Sequence, residues 1–303
     1  MLWRLSVHRM PTAKEIRIGL IASKDAHAFV KRHHYSGKSL QMKSRLHFGV
    51  SLGNRLCGVL QFGEPMDRGK LAGLVSGCGW HDFLELNRMV MIDDTPRNTE
   101  SRAISLALRL IHKQYPRIQW VVSFADATQC GDGTIYRAAG FVLTGIKRNT
   151  TLWKGPMEPC RDAPNYLRSA YMGYIRKHGR VFASLTFQGG TIHSKEQLAF
   201  RAASWRYTQG AIGSEALLAL GCERLNGFQL RYIYFLDRTA RGRLTVPEIP
   251  FGKIAEVGAG MYKGRPKDSS EPPATHAGEG GAAPTRTLQN LFPLRDRMSR
   301  SAE

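Results

Sequence analysis

The stretch WVVSFADATQCGDGTIYRAAGF, residues 120–141, decides the fold of this chain. It opens with an apolar, β-branched run of the length of a buried strand, passes through a polar turn, and closes on a short helical pattern that ends at Gly140. The order strand, loop, helix indicates a mixed α/β domain. Open α/β sheets place ligands at loops that follow the carboxyl ends of strands, so this loop is a candidate site. An ordinary turn with a tyrosine packed under it is the alternative.

The composition shows a strong excess of positive charge. Of the 303 residues 42% are hydrophobic, which is enough for a real core, and the length fits one large domain or two small ones. The formal net charge is +20 and the isoelectric point is about 10.1. Because solubility needs far less charge, a polyanionic partner is indicated, and nucleic acid is the leading candidate.

Membrane, disulfide and zinc-knuckle classes are not indicated. No apolar run approaches the roughly 18 residues of a spanning helix, and the N-terminus lacks a continuous signal-peptide core, so a cytoplasmic protein is expected. The five cysteines are odd in number and form no C-x-x-C pair, which is typical of small core residues.

The loop after the central strand gathers polar side chains. Ser123, Asp126 and Tyr136 lie within 14 residues. A hydroxyl, a carboxylate and a phenol are groups that can orient a bound ligand and move its protons. We therefore treat all three as candidate site residues.

A second set of candidates lies near the N-terminus. Residues 12–34 predict a helix that Ser23 can cap and that ends in a basic cluster before His34 and Tyr35. This pair could carry protons or contact phosphate. The adjacent residues His33 and His34 project to different sides of a helix. This argues against a metal site shared by the two histidines, although a metal requirement of the protein stays open. A solvated helix end is the alternative.

The next segments predict strands and a candidate arginine. Residues 45–61 read as two strands joined by a Gly53-Asn54 turn, residues 64–80 as a long loop, and residues 83–92 as a strand. Strict alternation along the last strand places Arg88 on the same side as Leu84, Leu86 and Val90. A charged side chain among apolar neighbours either extends its charged end to solvent or pairs with an anion. We favour an anion-binding role for Arg88.

The segment DDTPRNTESR, residues 93–102, predicts the turn into a strongly apolar helix that ends near Tyr115. Asn98 or Thr99 would cap it, and Glu100 and Ser101 would lie in its first turn. An ordinary helix start is the alternative for both residues.

The second half of the chain carries weaker patterns. A helix over 166–177 interleaves aromatic and basic residues, which suits contact with nucleic acid, although core packing is the commoner reason for such spacing. From residue 263 onward periodicity disappears and a disordered tail is expected. The other predicted elements are strands over 142–146, 150–153 and 231–237 and helical patches over 196–203 and 214–220.

Two motifs carry a family resemblance. Residues 136–141, YRAAGF, resemble the Y-x-x-x-G-F close of the GNAT acyltransferase fold. SFAD, GDGTIYRAAGF and TPRNTESR together resemble the phage Mu Mom family of DNA adenine modification proteins, over about residues 20–155.

The resemblance implies a GNAT-like α/β (α+β) fold with a largely antiparallel central sheet flanked by helices, an insertion and a disordered C-terminal tail. The expected divisions are a catalytic core over 1–155, a nucleic-acid-binding insertion over 156–228, a late strand returning to the sheet over 229–262, and the tail over 263–303.

The resemblance also implies site residues. His34 and Tyr35 align with a histidine-tyrosine pair of the family's active site, and Arg88 and Ser101 align with a functional arginine and serine. GNAT enzymes that use CoA carry a glycine-rich loop at the turn into this helix, where backbone amides hold the pyrophosphate. This chain has no glycine over 93–102, so acetyl-CoA is a doubtful donor.

The function implied is conversion of adenine N6 in DNA to N6-carbamoylmethyladenine, which protects phage DNA from restriction in the host cytoplasm. Asp126 would accept a hydrogen bond from N6, Tyr136 would donate to the leaving group, and glycyl-tRNA is the hypothetical donor, with acetyl-CoA as the alternative. The rival hypotheses are an acyl-CoA N-acetyltransferase and a non-catalytic nucleic-acid-binding protein.

Overall fold

The computed structural model describes residues 11–34, 43–65, 67–184, 194–211, 214–262 and 265–267. A seven-stranded sheet forms its centre, in the order β1-β2-β3-β4-β5-β10-β6. Its strands are β1 (Ile16–Leu20), β2 (Ser44–Leu52), β3 (Arg55–Gly63), β4 (Phe83–Met91), β5 (Trp120–Ala127), β6 (Val142–Arg148) and β10 (Phe228–Phe235). All neighbouring pairs are antiparallel except β4 and β5. The prediction of a mixed, largely antiparallel sheet is confirmed.

Helices cover the sheet and extend beyond it. They are α1 (Ser23–His33), α2 (Arg68–Leu71), α3 (Thr99–Gln114), α4 (Thr134–Ala138), α5 (Asn165–His178), α6 (Lys195–Tyr207), α7 (Glu215–Ala219) and α8 (Gly252–Glu256). The short strands outside the main sheet are β7 (Leu152–Lys154), β8 (Val181–Ala183), β9 (Glu223–Arg224), β11 (Met261–Tyr262) and β12 (Arg265–Pro266). None of the helices in the described residues is long and apolar enough to cross a bilayer.

Residues 12–34 differ from the prediction of a single helix. Residues 16–20, IRIGL, form β1, which pairs with β2, and helix α1 begins only at Ser23, with Ala22 in the capping position. Alternating β-branched residues favour the strand, and the sheet edge offered by β2 supplies its hydrogen bonds. The predicted hairpin of β2 and β3 is confirmed, and Gly53 adopts the left-handed conformation (φ 58°) that its turn requires.

Helix α3 anchors one face of the sheet. Ala103, Ile104, Ala107, Leu108 and Ile111 recur at helical spacing and are all buried against apolar residues of β2, β3 and β5. Full burial of a leucine or isoleucine side chain stabilises by about 1.5–3 kcal/mol, so this face holds the helix in place. The turn and helix predicted over 93–115 are confirmed. Asn98 precedes the helix in the left-handed conformation (φ 68°).

The parallel contact between β4 and β5 is short. Phe83–Glu85 pair with Trp120–Val122, and in the part of the chain that the structure describes no pairing between these two strands continues beyond that point. Ser123 of β5 donates a hydrogen bond to the backbone oxygen of Leu86 on β4 at 3.4 Å, across the separation. The sheet therefore has a gap at its centre.

Strand β4 also contains a bulge next to this gap. Gln61 of β3 lies opposite Arg88, and Phe62 lies opposite Leu86, so the register skips Asn87. The bulge reverses the alternation, and Arg88 lies on the side of Gln61 rather than with Leu86. The prediction that Arg88 shares its side with Leu84 and Leu86 is wrong, because a period of two does not hold across a bulge.

A second apolar cluster lies between α5, α6, α7 and the three-stranded sheet β8-β7-β9. Tyr171 and Tyr174 of α5 are buried in it, and Tyr166 packs against its edge. The aromatic residues of the predicted helix over 166–177 are thus core residues, which is the commoner reason for such spacing. The nucleic-acid-binding role of the insertion over 156–228 stays a prediction.

The chain after β10 returns to the central loop. The backbone oxygen of Met261 accepts from the N–H of Asp132 at 3.0 Å, and the ammonium of Lys267 donates to the Asp132 carboxylate at 2.7 Å. Residues 265–267 are therefore ordered, contrary to a tail that starts at 263. Residues 268–303 lie outside the described part of the chain. The predicted loop over 64–80 contains the short helix α2.

Gly133→Ala should destabilise the protein by about 2–4 kcal/mol. Gly133 has a φ of 81°, and a Cβ atom there would overlap the ring of Tyr232. Urea unfolding followed by circular dichroism measures the effect. Gly242→Ala is the matched control, because a Cβ at Gly242 meets nothing within 4 Å. Equal stability of the two variants would contradict this account of the loop.

Candidate active site

The gap between β4 and β5 holds the tyrosine of the central loop. Helix α4 begins after Gly133 and directs Tyr136 back under the sheet, where it is 8% exposed. Its ring packs against Phe141 and Tyr232, with centroids 5.5 and 5.3 Å apart. Its hydroxyl is hydrogen-bonded with Ser123. The Ser123 hydroxyl thus lies between the Leu86 carbonyl, to which it donates at 3.4 Å, and the phenol.

Burial raises the pKa of Tyr136 to about 12. The hydrogen bond with Ser123 and the charge of Arg88 lower that pKa, while Cys130 and Glu85 raise it. The phenol is therefore protonated at neutral pH and can donate a proton or a hydrogen bond. Ser123, Glu85 and Arg88 therefore all act on the same hydroxyl.

The C-terminal end of α1 lies near Arg88. His34 ends α1, and its N–H donates to the carbonyl of Val30 at 2.9 Å. Burial and then the charge of Arg88 lower the pKa of His34 to about 4. The imidazole is thus uncharged at neutral pH and can accept a hydrogen bond. Arg88 donates to the backbone oxygen of Asn87 at 2.7 Å, which fixes its guanidinium beside the bulge.

Two residues near the gap were missed by the sequence analysis. Glu85 is only 6% exposed and is the last residue of β4 that pairs with β5. A carboxylate in the middle of a buried strand is rare unless it is paired, and that signal could have identified it. Cys130 was assigned to the core, but it follows the strand end, and burial and then the charge of Asp126 raise its pKa.

Asp126 does not share the face of Tyr136. It is three residues after Ser123 on β5, so strand alternation places it on the opposite side, across from Gln229 of β10. Its carboxylate accepts from the N–H of Thr128 at 3.0 Å and from Gln129 at 3.2 Å. These bonds form an Asx-type turn. The catalytic role of Asp126 stays a prediction.

Ser101 and Glu100 lie elsewhere, in the first turn of α3. Ser101 lines a separate groove of about 300 Å³. Its hydroxyl donates to the backbone oxygen of Asn98 at 3.3 Å, and Arg102 donates to the backbone oxygen of Lys14 at 3.4 Å. The groove is lined by Ala13, Lys14, Asn98, Ser101, Arg102, Ser105, Arg109 and Ala138, which include three cations and no carboxylate.

The structure thus groups His34, Arg88, Ser123 and Tyr136 around the gap, and it places Ser101 and Glu100 in the first turn of α3. Asp126 lies near the end of β5, where its charge raises the pKa of Cys130. Tyr35 lies outside the described residues. Behind Arg88, the amide of Gln61 lies 3.1 Å from the Nδ1 of His27 and 3.2 Å from the Nδ1 of His47. This buried polar group supports the side of the sheet on which α1 lies, and no motif had indicated it.

These features define the class of protein. A largely antiparallel sheet whose one parallel pair separates after three residues, with a helix behind the separation, is a GNAT-like α/β fold.

Comparison with known proteins then gives the family. Residues 15–159 match the model of the Mom protein family. The chain is 40% identical over 139 residues to the methylcarbamoylase mom of Escherichia phage Mu. That alignment covers 46% of this chain and 57% of the phage protein, so the chain spans little more than half the length of this relative. The resemblance indicated by the motifs is confirmed.

Similar solved structures are acetyltransferases. A Bacillus subtilis acetyltransferase in complex with CoA is 10% identical, with a TM-score of 0.33 over 73% of this chain and 97% of that one. A GNAT family acetyltransferase from Brucella melitensis in complex with acetyl-CoA is 14% identical, with a TM-score of 0.29 over 42% and 82% of the two chains. At these values the likeness carries no weight for cofactor or substrate.

Arg88→Gln should raise the pKa of His34 above about 4, towards the ordinary 6.5, because a nearby positive charge disfavours the imidazolium. Burial remains, so the pKa should stay below 6.5. Titration of the histidine ring signals by NMR measures it. Arg109→Gln, in the separate groove, is the control. An unchanged His34 pKa in Arg88→Gln would show that the two side chains do not interact.

Proposed function

We propose that this protein is a DNA-modifying transferase that converts adenine N6 to N6-carbamoylmethyladenine and thereby protects DNA from restriction. One observation carries the proposal. The gap that holds a buried, protonated Tyr136 and an uncharged His34 lies wholly within residues 15–159, the segment that matches the Mom family. The name of the phage Mu relative, methylcarbamoylase, supports the identity of the group transferred.

The chemistry requires an activated partner and a placed base. The lone pair of adenine N6 is delocalised into the ring, so N6 is a weak nucleophile that needs close positioning and removal of a proton. In a duplex the amine is paired, and the base must leave the stack to enter a pocket. The net charge of +20 suits the DNA backbone, which supports DNA as the substrate.

We assign roles according to the chemistry of each group. Arg88 contacts a phosphate or the donor, and an anion bound there offsets the charge that lowers the pKa of His34, so substrate binding makes the imidazole a better base. Tyr136 donates a proton to the leaving oxygen, and Ser123 holds the phenol in position. Asp126 closes the loop that carries Tyr136.

The donor proposed is glycine esterified to tRNA. Attack of N6 on the ester carbonyl forms an amide and breaks the ester bond. The His34 imidazole takes the proton that N6 loses, and Tyr136 gives its proton to the departing oxygen, which leaves as the hydroxyl of the tRNA. Transfer of the proton from the imidazolium through solvent to the phenolate restores both neutral groups. The glycyl amine then adds to C6 of the purine, and the original N6 leaves C6 as the nitrogen of the terminal amide. The product, N6-carbamoylmethyladenine, is an isomer of the first amide, so no oxidant or further reactant is needed.

Acetyl-CoA is the alternative donor, and the α3 groove tests its fit. Lys14, Arg102 and Arg109 supply charge for phosphate, and the first turn of a helix favours anions. The loop before α3 lacks glycine, and Asn98 occupies its left-handed position, so backbone cannot approach a pyrophosphate closely. The charge of the groove therefore suits a carrier that bears phosphate, but the groove lacks the backbone loop that holds the pyrophosphate of CoA. The proposed reaction has no step that uses CoA.

Tyr136→Phe should lower the rate of adenine modification by roughly 10²- to 10⁴-fold, the range expected for loss of a proton donor. Purified protein is incubated with DNA and glycyl-tRNA, and the DNA is digested to nucleosides for mass analysis. Ser123→Ala should lower the rate less, because it only positions the phenol. Tyr115→Phe, exposed just after the end of α3, is the control.

The same assay separates the rival functions. Product formed from acetyl-CoA without glycyl-tRNA would refute the proposed donor. Saturable CoA binding without DNA affinity would indicate an acyl-CoA N-acetyltransferase. Unmodified DNA with every donor, together with DNA binding that Tyr136→Phe leaves unchanged, would indicate a non-catalytic binding protein.

A further inference from the structure

Helix α6 presents an unusual outer face. Its inner side is buried in the second apolar cluster through Gln197, Phe200, Ala203 and Ser204. On its outer side Leu198 is 54% exposed and Trp205 is 50% exposed. Ala202, also exposed, lies between them, so the three residues follow the i, i+4, i+7 spacing of one stripe about 10 Å long.

The indole of Trp205 is held in place from one side. The helix ends in a turn in which the N–H of Gly210 donates to the Trp205 carbonyl at 2.9 Å. Gly210 has a φ of 85° and lies beside the indole, because a Cβ there would be 3.6 Å from three of its ring atoms. The ring is thus supported by backbone while half of the residue stays open to solvent. A supported aromatic ring loses little conformational freedom when it stacks on a ligand.

Positive charge flanks this stripe. Lys195 and Arg206 are exposed on the same helix, and the Arg206 guanidinium lies over the ring of Tyr166, 4.3 Å from its centroid. The single carboxylate of α6, Glu196, is already paired with Lys177 at 2.7 Å. The outer face therefore combines an apolar, aromatic stripe with exposed cations, which suits the bases and phosphates of a nucleic-acid strand.

We propose that the outer face of α6 binds an unpaired strand of the DNA substrate. A base stacks on Trp205, Leu198 and Ala202 contact the neighbouring nucleotide, and Lys195 and Arg206 contact phosphates. Duplex DNA has no open base face for an indole, whereas extraction of an adenine disturbs the stack around it. The inference rests on the proposed DNA substrate and names the surface that would hold the strand.

Trp205→Ala in the full-length chain should weaken binding to a fluorescently labelled single-stranded oligonucleotide by roughly 5- to 150-fold, as expected for one lost stacking contact. Fluorescence anisotropy measures the affinity. Trp205→Phe should retain most of it. Trp80→Ala is the matched control, because Trp80 is 48% exposed but lies in the loop before β4. Arg206→Gln should reduce the salt dependence, with a log-log slope smaller by about 0.7.

Single-strand affinity of Trp205→Ala equal to that of the original protein would overturn the proposal, as would loss of tRNA binding with DNA binding intact. If Trp205→Ala fails to fold, Ala202→Glu takes its place, since it adds a negative charge to an exposed position. Nucleoside analysis keeps the two proposals apart. If Trp205→Ala weakens single-strand binding and the original protein modifies no adenine, this surface is supported and the proposed function is refuted. If the original protein modifies adenine and Trp205→Ala leaves single-strand binding unchanged, the proposed function is supported and this surface is refuted.

Discussion

The short contact between β4 and β5 is the constraint on which the site depends. Three paired residues join two halves of the sheet, and the strands then separate because β4 carries a bulge and continues along β3. The separation would leave backbone groups without partners, and Ser123 satisfies one of them by donating to the Leu86 carbonyl. Tyr136 reaches the gap from one face of the sheet, and Arg88 and His34 approach from the other. A continuous sheet would keep these groups apart.

Charge is distributed unevenly among the groups around this gap. Burial keeps Tyr136 protonated, and burial with the charge of Arg88 keeps His34 unprotonated. Both side chains are therefore neutral at neutral pH, one as a donor and the other as an acceptor, beside a permanent cation. Such a set suits the transfer of protons between neutral groups next to an anionic ligand, and it differs from the acidic clusters that hold metal ions.

The sequence predicted the elements whose patterns are local and regular. The β2–β3 hairpin, helix α3 and the strand-loop-helix over 120–141 follow from periodicity and turn residues. Arg88 was placed on the wrong side because a bulge cannot be seen in a period-two pattern. The separation of Asp126 from Ser123 could have been found, since residues an odd number apart on a strand face opposite ways. The burial of Tyr171 and Tyr174 depends on α6 and α7, which are distant in sequence.

The position of β10 affects how the chain is made. This strand lies between β5 and β6, but β5 ends at Ala127 and β10 begins only at Phe228, about 100 residues later. At translation rates of ~5–20 residues per second, the ribosome needs roughly 5–20 s to synthesise the residues between β5 and β10. During that interval the facing edges of β5 and β6 expose unpaired backbone groups, which are prone to association with other nascent chains. Chaperone binding to this intermediate would therefore be an expected feature of its biosynthesis.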